Sequence, residues 1–267
     1  MSGTGTQPQW PGAQDPARGL NPTRPISGYD MVALMRLLAD KAHASIARGS
    51  VDPLMDFIFS SLATGSGFVA HIPTACGKGC NYCCHLWVDA TPAEVLYAVR
   101  KIAPPRREAT TASVEKAHAL TSGVSFADRC GKVNPPCPML DDRGACGIYE
   151  ARPISCRTLV STDAEECRRA LAEGAEESFP SLKVWFTLRD SYSTALEGAL
   201  MHAGLAHQAH EWNDSLKIAL AQPDAEQRWL SGADVFASAA RTPAAPIFQH
   251  PTWREIYRQA FGALPHG

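Results

Sequence analysis

The sequence contains two cysteine-rich stretches, CGKGCNYCC at residues 76–84 and CPMLDDRGACGIYEARPISCR at residues 137–157. Together they hold seven of its nine cysteines. Gaps of three and two residues let the first stretch turn its thiols toward one centre, since its glycines permit tight turns. In the second stretch an Asp-Asp-Arg-Gly turn would bring Cys137 and Cys146 close together. Buried apolar filler, the usual role of a free cysteine, does not come in such spaced clusters, so the pattern predicts metal ligation. The predicted ligands are Cys76, Cys80, Cys83, Cys84, Cys137, Cys146, Cys156 and Cys167.

The remaining composition narrows the class of protein. All nine cysteines lie between Cys76 and Cys167, and the ninth, Cys130, fits neither cluster and is expected to be filler. The N-terminal residues do not form a secretory signal, so we expect a reducing, cytoplasmic location without disulfides. A net charge of −2 gives no pull toward nucleic acid. No apolar run approaches the roughly 20 residues that cross a bilayer, so no membrane segment is expected.

Outside the cysteine clusters the periodicity is helical. Apolar residues from Met31 to Ile46 recur at helical spacing before Gly49, and Asp52-Pro53 is typical of a second helix start. Thr91 and Glu94 form a predicted capping box. Asp163 and Glu166 predict a further start that places Cys167 in the first turn. We therefore predict a mainly α fold: a helical domain whose irregular cysteine-rich loops form a metal or cluster site.

Three regions are predicted along the chain. Residues 1–28 read as a disordered tail, since they are poor in apolar residues. Residues 29–175 are predicted to form a helical domain that carries the cysteine clusters. Residues 176–267 are predicted to be a C-terminal helical region that packs on this domain.

In its ordered combination of eight cysteines the sequence resembles the YkgJ-type cysteine-cluster family, also called the CxxCxxCC zinc- or iron-chelating domain. The resemblance covers residues 76–167 and rests on four motifs. These are Cys76-x3-Cys80-x2-Cys83-Cys84, Cys137-x-x-Leu140, the run Gly144-x-Cys146-x-Ile148-Tyr149-Glu150-x-Arg152-Pro153-x-x-Cys156-Arg157, and the trailing Cys167. The relatives it implies include bacterial proteins of unknown role and a flagellin lysine methylase said to carry an iron–sulfur cluster. It therefore implies cluster-dependent chemistry, with a protein as one candidate substrate.

The choice between zinc and iron depends on spacing. Structural zinc sites made of thiolates show two Cys-x2–4-Cys knuckles, whereas Cys137, Cys146 and Cys156 are separated by eight and nine residues. Iron–sulfur clusters accept looser spacing, and a proline often follows a ligating cysteine, as at Cys137-Pro138. A [4Fe–4S] cluster is therefore favoured over zinc. Four cations are expected to donate toward the sulfur atoms of either cofactor: Lys78, Arg143, Arg152 and Arg157.

The segment before Cys156 carries two local expectations. A short helix should start at Pro153, and its N-terminal dipole should then lower the pKa of the Cys156 thiol. Arg152 should pair with a carboxylate, either Glu150 or Asp141.

Two functions remain open. The first is a cluster-binding protein with redox or S-adenosylmethionine-linked modification chemistry, as an oxidoreductase or a methylase-like enzyme. Cys76-x3-Cys80-x2-Cys83 is also the radical S-adenosylmethionine signature, although the barrel of those enzymes is not predicted here. The alternative is a structural zinc-binding module whose C-terminal helices, with Trp212, Trp229 and Trp253, contact another protein.

Overall fold

The computed structural model describes residues 28–67, 72–129, 133–174, 182–241 and 250–263. These residues form a mainly helical structure, as the periodicity predicts. Nearly all of the predicted N-terminal tail and Cys130 lie outside the described residues, and the three-region division stays a prediction. The described helices are α1 (Gly28–Arg48), α2 (Asp52–Ser66), α3 (Pro92–Arg100), α4 (Arg107–Thr121), α5 (Phe126–Arg129), α6 (Ile154–Thr158), α7 (Ala164–Glu173), α8 (Lys183–His202), α9 (Trp212–Ala221), α10 (Ala225–Leu230) and α11 (Pro251–Phe261).

Short elements connect these helices. Within the described residues, 3-10 turns span Tyr82–His85, Pro104–Arg106 and Tyr149–Ala151. Two short strands, β1 (Asp89–Ala90) and β2 (His210–Glu211), pair antiparallel, with Asp89 opposite Glu211. This pairing brings the start of α9 next to the residues that follow the first cysteine stretch.

The first two helices begin and end largely where the sequence places them. Gly49 follows α1 with a φ of +63°, a left-handed conformation that glycine adopts without steric cost. α2 starts at the predicted Asp52-Pro53 pair: Asp52 is its first residue, and Val51 is the cap residue that precedes it. The backbone N–H of Asp52 donates to Ser50 Oγ at 3.2 Å, so a serine hydroxyl satisfies this end of the helix.

The core joins N-terminal and C-terminal helices. α1 packs against α2, α8 and α11, while α3 packs against α9. Leu38 of α1, Met55 of α2 and Leu196 of α8 are completely buried. Trp229 is also completely buried, and Trp212 is 4% exposed, so these two tryptophans belong to the core. Among the described helices, none is both long and apolar enough to cross a membrane.

Glu94 connects this scaffold to the second cysteine stretch. The capping box is confirmed: Thr91 Oγ1 accepts from the Glu94 N–H, and Glu94 Oε2 accepts from the Thr91 N–H at 2.8 Å. The other carboxylate oxygen, Oε1, accepts from the backbone N–H of Ile154 at 2.7 Å. Because Ile154 is the first residue of α6, Glu94 fixes the start of the helix that carries Cys156.

Candidate metal centre

The first cysteine stretch folds as two tight turns. The Cys80 N–H donates to the Gly77 carbonyl at 3.0 Å, and Gly79 has a φ of +89°. The 3-10 turn follows, in which the Cys84 N–H donates to the Asn81 carbonyl at 2.9 Å. The glycines thus permit the reversal that the spacing predicts.

The second stretch forms the expected turn between Cys137 and Cys146. The Asp141 N–H donates to the Ala145 carbonyl at 2.8 Å, and Leu140 pairs with Cys146 as an antiparallel bridge. Asp141 Oδ1 accepts from the N–H groups of Ala145 and Arg143, which lowers the pKa of the Asp141 carboxyl group. These bonds hold the turn through the protein's own groups.

The two stretches contact each other directly. The Cys137 N–H donates to the Cys84 carbonyl at 2.7 Å. Gly144 lies so close to Asn81 that a Cβ atom there would meet Asn81 Nδ2 at 2.6 Å. Two thiol-bearing loops that are 53 residues apart at Cys84 and Cys137 are therefore neighbours in space.

Cys156 occupies the third residue of α6 and so lies within one turn of the helix start, as predicted, but the helix begins at Ile154, and Pro153 is the residue that precedes it. The Ser155 hydroxyl donates to the Asp89 carbonyl at 2.9 Å, which joins the helix to β1. The predicted direction of the Cys156 pKa shift is wrong, because its pKa is raised well above the ordinary value. Burial is the largest cause, followed by neighbouring thiols at Cys137 and Cys83, and a helix of five residues does not offset them.

Ser161 interacts with two cysteines, Cys76 of the first stretch and Cys167 of α7. Its N–H donates to Cys76 Sγ at 3.4 Å, and Cys76 Sγ lies 3.8 Å from its carbonyl oxygen. Burial raises the pKa of the Cys167 thiol, which is 8% exposed, and the Ser161 side chain acts on this thiol in the opposite direction. Asp163 caps α7 as predicted, and the first helical bond runs from the Cys167 N–H to the Asp163 carbonyl. No sequence signal marked Ser161 as the residue that joins Cys76 to Cys167.

Seven of the predicted ligands line one cavity, which has a volume of about 730 Å³. The eighth, Cys167, interacts electrostatically with Cys76, Cys80 and Cys83. Within the described residues, no three His, Cys, Asp or Glu side chains stand in the arrangement of ligands to a single ion. The thiols thus share one cavity, but the described thiols do not form the coordination sphere of a single ion. Their assignment as ligands stays a prediction. The lining cysteines are Cys76, Cys80, Cys83, Cys84, Cys137, Cys146 and Cys156.

Raised pKa values keep most of these thiols protonated at neutral pH. Burial raises the pKa of Cys137 to about 12, and it raises those of Cys80, Cys146 and Cys167 as well. A hydrogen bond with Cys84 and burial raise the pKa of Cys83. Because a metal binds the thiolate form, binding must displace these protons.

Of the four predicted cationic donors, Arg152 acts most directly on the thiols. It lines the cavity, and its positive charge lowers the pKa values of Cys83, Cys146 and Cys156. The expected pairing with Glu150 or Asp141 is replaced by other contacts. Arg152 Nε donates to the Tyr149 carbonyl at 3.0 Å, and its guanidinium lies 3.6 Å from the centre of the Tyr149 ring.

The other three cations differ in position. Lys78 also lines the cavity and is exposed. Arg143 and Arg157 are not among the described residues on its wall. Arg143 is an exposed turn residue, whereas Arg157 donates to the Arg152 carbonyl at 2.8 Å and lies 3.9 Å from the centre of the Phe59 ring. Arg157 therefore holds the backbone that precedes Cys156, because it also donates to the Glu150 carbonyl.

Sequence reasoning missed the wall of the cavity beyond the thiols. Arg129, Glu211 and Trp212 line it, although they lie outside both cysteine stretches. Burial raises the pKa of the Cys137 thiol, and the Trp212 side chain acts on the same thiol in the opposite direction. Glu211 and the adjacent Trp212 reach the cavity through the pairing of β1 with β2. This pairing joins Asp89 to Glu211 across 122 residues, and no local sequence pattern predicts it.

Comparison with known proteins agrees with this geometry. Residues 75–174 match the family model described as "CxxCxxCC: Putative zinc- or iron-chelating domain". No curated protein and no solved structure matched the chain. The matched range contains both cysteine stretches and Cys167, so the resemblance stated from the motifs is confirmed. Residues 75–174 of this chain, which lie within a larger helical structure, therefore match the family model of a zinc- or iron-chelating cysteine domain.

Proposed function

We propose that this domain binds an iron–sulfur cluster through its cysteine thiolates. The observation that carries the proposal is the convergence of seven thiols, from two distant stretches, on one cavity. Thiolates are the ligands that both iron–sulfur clusters and structural zinc prefer, so the donor set fits either group.

The spread of the thiols favours a cluster over a single ion. Thiolates that share one zinc ion lie within about 4 Å of each other, given Zn–S bonds near 2.3 Å. No three of the described thiols are arranged in this way. A cluster binds each thiolate at a separate iron atom and so accepts donors that lie further apart.

The proposal divides the thiols into an inner and an outer group. Cys137, Cys146 and Cys156 form the inner group, held by the hairpin turn and α6, and the Cys156 thiol interacts with the other two. The outer group is Cys76, Cys80 and Cys167, of which the first and last share Ser161. The Cys83 thiol interacts with members of both groups, so it can complete four donors with the inner three.

Protein residues around the thiols would support the bound state. When bound, a cluster would supply one-electron transfer or a Lewis-acidic iron. Arg152 favours the thiolate form of Cys83 and of two inner cysteines, and the Trp212 side chain lowers the pKa of Cys137 in the same direction. The open space beside the thiols gives room for a second molecule. We therefore extend the proposal to an oxidoreductase or a methylase-like, S-adenosylmethionine-linked enzyme that modifies a protein.

The alternative proposal, a structural zinc module, draws on the same donor set. Its suggested protein-binding face is weakened, because Trp212 and Trp229 are buried in the core and Trp253 is partly buried against it. The remaining case for zinc is that four thiolates suffice for a closed site.

Paired cysteine variants test the proposal. The double variant C137A/C156A should lose most of its iron and acid-labile sulfide after anaerobic purification, because it removes two inner donors. The matched control is C130A, which removes the cysteine outside the family pattern and should keep the wild-type content. Equal iron and sulfide contents in both variants would contradict the assignment of the inner group.

A further inference from the structure

A buried ion pair lies on the wall of the cavity that the thiols line. Arg129 and Glu211 are each 2% exposed, yet both contribute to this wall. Arg129 Nη2 lies 3.6 Å from Glu211 Oε1, which is an ion-pair distance that is longer than a hydrogen bond. The two side chains therefore form an ion pair without a hydrogen bond between these two atoms.

Each member of the pair has one end fixed by the fold and one end unused. Arg129 Nη1 donates to the Val133 carbonyl at 2.6 Å, and Glu211 Oε2 accepts from the Asp214 N–H at 2.8 Å. Arg129 Nε and Glu211 Oε1 have no hydrogen-bond partner within the part of the chain that the structure describes. Buried donors and acceptors are rarely left unpaired, and here one of each kind is found on the same pair.

Aromatic side chains line the same cavity as the pair: Trp87, Phe186 and Trp212. A volume of about 730 Å³ is within the range of sites that hold small organic molecules, which are mostly apolar with a few polar groups. Because Trp212 lines the cavity together with Cys137 and acts on the pKa of its thiol, a molecule beside Trp212 would lie next to the thiols.

We propose that the Arg129–Glu211 end of the cavity binds a small, neutral, aromatic molecule that carries an amide group. Burial raises the pKa of the Glu211 carboxyl group to about 7, so above that pH, where the probes are compared, the carboxylate balances the guanidinium and neither an anion nor a cation gains a net opposite charge there. An amide offers an acceptor for the guanidinium and a donor for the carboxylate on one planar group, and it enters by widening a pair that is not hydrogen-bonded. A single ordered water would satisfy the same two atoms but would leave the aromatic walls unused. This proposal requires neither iron nor zinc, so it can fail while the proposed function holds.

Three probes of one shape and different charge test the proposal: benzamide, benzoate and benzamidine. Binding to the protein as purified anaerobically is followed by tryptophan fluorescence and by saturation-transfer NMR of the probe. We expect benzamide to bind about tenfold or more tighter than either charged probe. Absence of benzamide binding up to its solubility limit, or equal or tighter binding of a charged probe, would overturn the proposal.

Charge-changing variants then locate the site. E211Q leaves Arg129 unbalanced and should shift the preference toward benzoate by about tenfold, whereas R129Q should shift it toward benzamidine by a similar factor. The matched control is E115Q, at an exposed glutamate paired with Lys217, which should keep the wild-type preference. A purely structural ion pair would not reverse the charge preference, so an unchanged preference in the folded variants refutes the site. If neither variant folds, the order of the three probes on the wild type decides.

Discussion

Replacement of Glu94 by alanine should destabilise the protein far more than the loss of an ordinary helix-cap residue. The carboxylate accepts three hydrogen bonds, from the Thr91 N–H, the Thr91 hydroxyl and the Ile154 N–H. Its residue is 3% exposed, so the two backbone N–H groups would lose their acceptor without gaining water. An unsatisfied buried donor costs about 1–3 kcal/mol, which gives about 2–6 kcal/mol for two.

The expected value lies in the lower half of this range. Burial raises the pKa of the Glu94 carboxyl group, because desolvation carries a cost for the charged form in the native fold. Removal of the side chain relieves that cost, so we expect E94A to lower the free energy of unfolding by about 2–4 kcal/mol. E94Q keeps the volume but only one acceptor oxygen, and should cost about 1–2 kcal/mol.

Urea unfolding followed by circular dichroism measures these changes in free energy. Glu165 supplies the matched control, since it lies in the first turn of α7 but is exposed and pairs with Arg168. E165A should leave the free energy of unfolding close to the wild-type value, because the side chain is exposed. Because Glu94 fixes the first residue of α6, E94Q should also reduce metal loading although it is not a ligand. An E94A variant no less stable than E165A would refute the role assigned to Glu94.

The thiols, Arg152 and Gly144 each have an expected effect that can be measured. Apparent metal affinity should fall by about tenfold per pH unit, as pH is lowered, for each thiol that must lose a proton, because the raised pKa values keep these thiols protonated at the pH of titration. A metal affinity that does not depend on pH would contradict this. R152Q should raise the pH needed for half-maximal metal loading, whereas R143Q, at an exposed turn residue off the cavity wall, should leave it unchanged; identical pH profiles would remove Arg152 from the site. G144A should lower the free energy of unfolding by about 1–2 kcal/mol because of the positive φ of Gly144, and by a further amount because the new Cβ meets Asn81. The control G49A has a similar φ but open space around it, so it should show the backbone cost alone. Equal losses of stability in thermal melts would show that the Asn81 contact is unimportant.

Local signals accounted for much of the fold. The Thr91–Glu94 capping box, the Asp163 cap and the glycine after α1 are short-range patterns, and each forms as predicted. They work because capping bonds join residues two or three positions apart, so the sequence contains the whole interaction. The spacing of the cysteines likewise predicted the loops that bear them.

What could not be predicted depends on contacts between distant residues. The direction of Arg157 follows from the carbonyl groups and the Phe59 ring that surround it, not from its position beside Cys156. The pKa of Cys156 follows from burial, which the N-terminal position in α6 does not reveal. Glu211 reaches the cavity only because β2 pairs with β1. In each case tertiary packing decided the outcome, and a single sequence carries no pattern for it.

Metal and sulfide analysis of anaerobically purified protein, together with its visible absorption spectrum, tests whether the cysteine cavity holds an iron–sulfur cluster. We expect a coloured protein with iron and acid-labile sulfide in near-equal amounts, and loss of both in C137A/C156A. A colourless protein with stoichiometric zinc would establish the structural zinc module instead. Protein that retains neither metal after anaerobic reconstitution would contradict metal binding by this domain altogether.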